Sequence, residues 1–371
     1  MRTFPLISAG VKKTTEKTLT VVNKYNNEAF ATVYLASKEE ILQCIQKAHA
    51  TRRQMRETNP GQRAEILQNL HNLITDSFDE FADLICKEAG KPITAAKAEV
   101  NRCLYTLDEA IKEASLGSPD GTWREHATGD ERHSLLIRRF PVGVASFITP
   151  FNFPLNLVMH KVAPAIVAGC PFVLKPSRKT PLCSLRLGEL LLECGMPEGS
   201  FSVLTTAEYS PFVSDERIKV VSFTGGAKAG WGIKEQAVKQ NVVLELGGNA
   251  ACIVDREVND LDEIADRICA GAFGYSGQSC ISVQRVLVHE SLYDSLCTKL
   301  VAGAQKFNEK QGDPASEDTK LGPLISEDEA KRIEEWVNEA VSSHNGKILC
   351  GGKRHGNIYG ELSYKTMRRV Y

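Results

Sequence analysis

No run of about 20 apolar residues, the length a membrane-crossing helix needs, occurs in this chain of 371 residues. An excess of charge is missing too: 45 Lys and Arg stand against 46 Asp and Glu, a formal net charge of -1. Such a balance gives nucleic acid or an anionic membrane no electrostatic handle, and neither is expected as a partner. The eleven cysteines include no CxxC pair. Their odd, scattered count fits neither a disulfide framework nor a zinc cluster, so no metal site is expected and reduced thiols are. The start, MRTFPLISAGVKK, has too short an apolar run for a signal peptide and no convincing cleavage site. The expectation is a cytoplasmic protein. Internal repeats and low-complexity tracts are absent as well.

What is present is an ordinary globular composition, 42% hydrophobic and 25% charged, in a chain longer than one core usually supports. Two lobes are expected. KEEILQCIQKAHATRRQM and QRAEILQNLHNLITDSFDEFADLICKEAGK carry apolar residues at helical spacing, the second stopped by Gly90 and Pro92. After residue 140 short apolar strands recur: VGVASFIT, FVLK, FSVL, KVVSFT, VVLEL, ACIV and VQRVLV. Helical stretches at 155–168, 181–194, 226–239, 260–275 and 291–308 separate most of them. That alternation predicts βαβ units and a parallel sheet. The polar, turn-rich stretch 116–139 reads as a projecting hairpin or as a plain surface loop.

Five stretches have the residue types that chemistry needs. FITPFNFPLN holds Asn152 between two prolines at a strand end, either a fixed amide for an oxyanion or a turn asparagine. FVLKPSRKTP ends a strand on Lys175, where ligands of open α/β sheets sit, with Arg178 and Lys179 adding positive charge. VVSFTGGAKAGWGI is a strand, a glycine turn and a helix, suited to a phosphate, although its spacing is not GxGxxG. VVLELGGNAACIV places Glu245 in an apolar run, either a buried carboxylate whose pKa burial would raise to suit a general base, the reading put first, or a glutamate turned to solvent at the strand end. GYSGQSCISVQR sets Cys280 at a junction between a helix and a strand. A cysteine is most often an inert core thiol, and a working one needs a base or electropositive surroundings. Glu245 is the candidate base.

Together the five stretches resemble the aldehyde dehydrogenase superfamily in order and spacing: TPFNFP, LKPS, FTGG…G, ELGG and GQSC, between residues 149 and 280. Weaker similarity runs through nearly the whole chain to about residue 359. The resemblance implies an α/β fold: a Rossmann-like parallel-sheet nucleotide-binding domain at 1–117 and 139–246, and a second α/β catalytic thiol domain at 247–371. An oligomerisation arm is implied at 118–138. The implied reaction is NAD(P)-dependent oxidation of a small aldehyde to a carboxylic acid. Cys280 would attack the aldehyde. Asn152 and the cysteine's own N–H would hold the thiohemiacetal oxyanion, and Glu245 would activate water against the resulting thioester. Implied cofactor contacts for NAD or NADP are Ile148, Thr149, Pro150, Lys175, Ser177, Arg178, Thr224, Gly225, Gly226 and Leu246. Many NAD-preferring members carry a glutamate at the position of Arg178, so NADP is expected to be accepted.

The family's E-x-F-G-P motif does not occur here, nor does the C-terminal strand that completes its dimer. The tail 360–371 does not resemble the family. The expectation from this is a C-terminally truncated member of a family of homo-oligomers. The alternative reading is an inactive fragment or pseudoenzyme that at most binds nucleotide. A third is a thiol hydrolase needing no cofactor, against which the glycine turn argues. The surroundings of SCISVQR lean towards hydroxyaldehydes such as lactaldehyde or glyceraldehyde derivatives.

Overall fold

A computed structural model describes residues 1–116, 122–125, 134–343, 346–359 and 363–365. By packing it divides into two compact units. One is Met1–Thr20, Ala31–Phe81 and Glu99–Glu245; the other is Val21–Phe30, Ala82–Ala98 and Leu246–Tyr371. The expected lobes kept 1–117 together, whereas here 21–30 and 82–98 group with the C-terminal half.

The first unit is built on a seven-stranded sheet. Its order is Asn241–Leu246, Ile218–Gly225, Val144–Ile148, Phe172–Lys175, Phe201–Val203, Leu6–Ser8 and Val11–Lys13. The strands from Ile218–Gly225 to Phe201–Val203 pair in parallel. Val144–Ile148 is buried at every position, which is why its sequence is continuously apolar rather than alternating. Phe172 lies between Phe147 and Phe201, with ring centroids at 5.6 and 5.9 Å. Two N-terminal strands add an antiparallel edge that the sequence reading did not foresee.

Around the sheet, Lys38–Ala50 buries Ile41, Cys44, Ile45 and Ala48 and is capped by the Ser37 hydroxyl. The single helix expected there breaks at Thr51 and resumes as Arg52–Glu57. The next expected helix also divides, at Ser77, into Pro60–Asp76 and Phe78–Ala89. An Asn59–Gln62 capping box starts Pro60–Asp76. Gly90, at φ +67, ends Phe78–Ala89 where the sequence placed the stop. A 24-residue helix, Ile93–Leu116, follows. Thr122–Glu125 pairs antiparallel with Ser134–Ile137, which decides for the hairpin between the two readings of 116–139. The rest of that stretch, 118–121 and 126–133, lies outside the described residues. So do 360–362 and 366–371 of the tail, whose Ser363–Lys365 pairs with Lys347–Cys350.

The second unit packs helices Leu261–Phe273 and Tyr293–Asn308 on the parallel strand pair Ala251–Val254 and Arg285–Val288, around Val254, Ala265, Ile268 and Leu296. The predicted strand after Cys280 starts only at Arg285. Within this unit Gly322 backs onto Gly90 so closely that a Cβ on Gly322 would stand 2.1 Å from the Gly90 carbonyl oxygen. Backbone cannot yield as a side-chain tip can. Gly322→Ala is therefore expected to destabilise by about 3 kcal/mol, read as a lowered Tm; an unchanged Tm would contradict this packing.

Among the described residues no helix is long and apolar enough to cross a membrane. No group of three or more His, Cys, Asp or Glu among them could hold a metal ion.

Candidate active site

In the first unit, the chain runs outward from Val144–Ile148 through Phe172–Lys175 to Phe201–Val203. It then returns to place Ile218–Gly225 on the other side of Val144–Ile148. The strand order thus reverses between Val144–Ile148 and Ile218–Gly225, and open α/β sheets bind ligands at the carboxyl ends flanking such a reversal. The register aligns those ends: Phe223 pairs with Ile148 and Ile148 with Lys175, and the Thr149 N–H donates to the Lys175 carbonyl at 3.2 Å. Ile148, Thr149, Pro150, Lys175, Thr224, Gly225 and Gly226 are thereby brought together at one end of one sheet. Ser177 and Arg178 follow on the turn after Lys175, where the Lys179 N–H donates to the Ser177 hydroxyl at 3.2 Å.

Each strand end has its own device. Burial brings the Lys175 ammonium down to about 8, with neighbouring Arg178 adding to the shift. Arg178 itself is exposed. A Cβ on Gly225 would stand 2.5 Å from the Phe223 ring, so the strand ends there only as glycine. Gly226 precedes helix Ala227–Gln236, makes no side-chain cap, and a Cβ on it would meet nothing within 4 Å. That leaves helix N-terminal N–H groups approachable by an anion. A strand-end lysine, an open helix N-terminus and a glycine turn at a topological reversal suit a dinucleotide's ribose and pyrophosphate.

Asn152 is half-buried in the bend between Val144–Ile148 and helix Asn156–Ala168. The first residues of that helix have no side-chain cap of their own. Instead Glu99, 2% exposed on helix Ile93–Leu116, accepts the N–H groups of Leu155 and Asn156 at 3.0 and 3.2 Å. Its carboxylate thus caps the helix behind Asn152, a role hidden from sequence by a separation of 56 positions. Lys161, also missed, is 7% exposed and donates to the Ser222 hydroxyl at 2.7 Å. Burial brings it down to about 8, while the Glu245 carboxylate pulls the other way. The sequence signal was a lone lysine inside the apolar helical run LNLVMHKVAPAIV.

Glu245 corrects one expectation. It was read as a buried carboxylate, yet it is exposed. Asn241–Leu246, which ends on Leu246, is the edge strand of the sheet and alternates between exposed and half-buried positions. Apolar neighbours in sequence do not bury a residue on an edge.

Cys280 belongs to the second unit and sits on a turn between Gly274–Gly277 and Arg285–Val288, exposed, as the junction reading expected. The Gly247–Gly248 turn passes beside it: a Cβ on Gly248 would stand 3.6 Å from the Cys280 carbonyl oxygen. Gln284 donates to the Gly248 carbonyl at 3.1 Å, and Arg285 to that of Asn249 at 3.0 and 2.6 Å, pinning the two segments. The contrast with other thiols is physical. Burial pushes Cys86 and Cys194 up to about 12 and raises Cys103 well above its ordinary value.

The fold and these residues suit a dinucleotide-binding α/β protein that also exposes a cysteine on a turn. The comparisons specify it further. The chain belongs to the aldehyde dehydrogenase family, whose sequence profile matches residues 11–363. It is 37% identical over 363 residues to a 3-sulfolactaldehyde dehydrogenase of Priestia megaterium, covering 97% of this chain and 75% of that one. Its structure is similar to aldehyde dehydrogenase 21 of Physcomitrella patens, solved with the reaction product succinate: TM-score 0.92, 40% identity, 98% of this chain and 76% of that one. A glyceraldehyde-3-phosphate dehydrogenase of Methanocaldococcus jannaschii, complexed with NADP, matches at TM-score 0.87 and 33% identity over 94% of this chain and 76% of that one. The chain spans about three quarters of the length of these relatives.

Proposed function

We propose that this chain oxidises a small aldehyde to its carboxylic acid with NAD or NADP, and that Cys280, Asn152 and Glu245 are the groups that do it. The observation that carries the reading is the alignment of Thr149, Lys175 and Gly226 at the carboxyl end of the parallel sheet, in a chain that also exposes one thiol on a turn.

Cys280 gives its proton to solvent, and its thiolate adds to the aldehyde carbon, the C–S bond forming as the carbonyl π pair moves to oxygen. The Asn152 amide, on a bend that Glu99 steadies from behind, donates to the oxyanion as it forms. When bound, the nicotinamide supplies the hydride acceptor. Glu245 then takes a proton from water as it attacks the thioester carbonyl, which returns Cys280 to its thiol. Lys175 and Ser177 hold the adenosine ribose and the open N-terminus after Gly226 holds the pyrophosphate. The domain roles follow: nucleotide binding in the sheet unit, covalent chemistry in the unit carrying Cys280. A homo-oligomer, with the 118–138 hairpin as its arm, and a cytoplasmic location complete the reading; buried thiols such as Cys44, Cys86, Cys103 and Cys170 suit a reducing compartment.

The test is purified protein with NAD or NADP and a panel of small aldehydes, followed by reduced-nicotinamide absorbance. Silence from folded protein across the panel would leave the inactive reading standing. Arg178, exposed beside Lys175, stands where many NAD-preferring members carry a glutamate, which removes that carboxylate's repulsion of a 2′-phosphate. Arg178→Glu is expected to lower kcat/KM for NADP about 10-fold or more while leaving NAD within about threefold, the scale of one charge contact. Equal losses with both cofactors would show that Arg178 does not meet the 2′ position.

A further inference from the structure

Just before Cys280 the backbone takes an unusual course. Tyr275 (φ 54, ψ 39) and Ser276 (φ 53, ψ 36) both lie in the left-handed region, and Gly277 follows at φ 69. Residues with a Cβ avoid that region, and two in succession persist only where the surroundings over-determine them.

Here the surroundings come from two short segments. The Tyr275 side chain, 6% exposed, donates its hydroxyl to the Ala89 carbonyl at 3.1 Å. Its ring lies 4.4 Å from the ammonium of Lys91, which is 1% exposed. Ala89–Lys91 thus grips the tyrosine at both its tip and its face. Ser276 donates to the Gly322 carbonyl at 2.7 Å. The Gln278 side chain accepts the Ile325 N–H at 2.9 Å and donates to the Pro323 carbonyl at 3.4 Å. Beyond the thiol, the Ser282 hydroxyl donates to Ala272 and the Val283 N–H to Gly271, each at 3.0 Å. The Cys280 turn is therefore staked on both sides. An ordinary core tyrosine needs apolar neighbours and one partner for its hydroxyl; this one also has a buried cation on its ring, a contact that strengthens with desolvation.

We propose that Tyr275 and Lys91 are positioning residues: a buried clamp that holds the left-handed turn and so fixes where the Cys280 thiol stands. They act through the turn and touch no reactant. The inference rests on Cys280 being the nucleophile. What it adds is that turnover depends on a side-chain contact whose two partners are 184 positions apart in sequence.

The experiment compares Tyr275→Phe, Tyr275→Leu and Lys91→Met with the unaltered chain. Tyr275→Leu removes ring and hydroxyl, and kcat is expected to fall about 100-fold with KM within about threefold, as for a displaced reacting group. Lys91→Met, which keeps the stem, is expected to lose about 10-fold in kcat, and Tyr275→Phe, which keeps the ring over Lys91, to stay within about fivefold. Amide hydrogen exchange gives a readout independent of turnover. In Tyr275→Leu the amides of Gln278, Ser282 and Val283 are expected to exchange at least about 10-fold faster, with helix Leu261–Phe273 unchanged. Unchanged exchange in the turn, or an unchanged kcat, overturns the clamp. Faster exchange spread through the whole unit overturns it too, since that is the mark of a plain core residue. Cys280→Ser separates the two ideas: activity surviving there defeats the nucleophile reading, while hydrogen exchange still decides the clamp.

Discussion

Cys280→Ser is expected to lower aldehyde-dependent reduction of NAD or NADP by at least about 10⁴-fold, the scale seen when a covalent nucleophile is removed. A serine hydroxyl in the same place is nearly as large but far less acidic than a thiol, so no comparable anion forms near neutral pH. The choice of Cys280 among eleven cysteines is physical. Cys86 and Cys194 are pushed up to about 12 by burial, and Cys103, fully enclosed, is raised well above the ordinary thiol value. Such thiols neither ionise nor meet a substrate. Cys280 is exposed, on a turn, beside paired glycines that leave its backbone uncrowded. Cofactor binding should survive the change, because every residue assigned to the nucleotide lies elsewhere. Retention of more than about 1% of the wild-type rate would remove Cys280 from the nucleophile's role. A loss of about 10⁴-fold with Cys252→Ser or Cys297→Ser instead, both half-buried thiols, would move that role to the residue changed.

Glu245→Gln separates the two halves of the reaction. Cys280 and Asn152 remain, so the aldehyde should still be taken to the thioester and one equivalent of reduced nicotinamide released rapidly. Hydrolysis should then slow by about 10³-fold, within the range that a positioned general base contributes. Rapid mixing would show a burst followed by a nearly flat trace, and intact-mass measurement would show the acyl adduct on the Cys280 peptide. Loss of the burst itself would mean that Glu245 serves the thiol rather than the water. A steady rate equal to wild type would mean that an edge-strand carboxylate, exposed as this one is, plays no part.

Much of this was legible in the sequence because local physics writes it there. VASFI reads as a fully buried strand since both faces of its position are covered, and it is one. Gly90 stops a helix because only glycine accepts φ +67 there without strain. The glycines at 225 and 226 mark a strand-to-helix turn because one abuts the Phe223 ring and the other opens a helix N-terminus. Other features depend on partners that periodicity cannot see. The breaks at Thr51 and Ser77 interrupt an unbroken helical pattern. The antiparallel N-terminal edge depends on which strand end was left open.

By itself, then, the sequence determined the alternation of strands and helices, the five motifs and their order, and the candidate thiol, carboxylate and amide, each carried by residues within a few positions of one another. The tertiary structure alone decided that Glu245 stands on an exposed edge, because burial belongs to a strand's place in the sheet and not to its composition. It alone brought the Glu99 carboxylate to the helix behind Asn152, set a lysine of pKa about 8 within reach of the charge of Glu245, and laid Lys91 over Tyr275 beneath the turn that carries Cys280. Those pairings join residues dozens to hundreds of positions apart, and only the packing of whole elements brings such residues together.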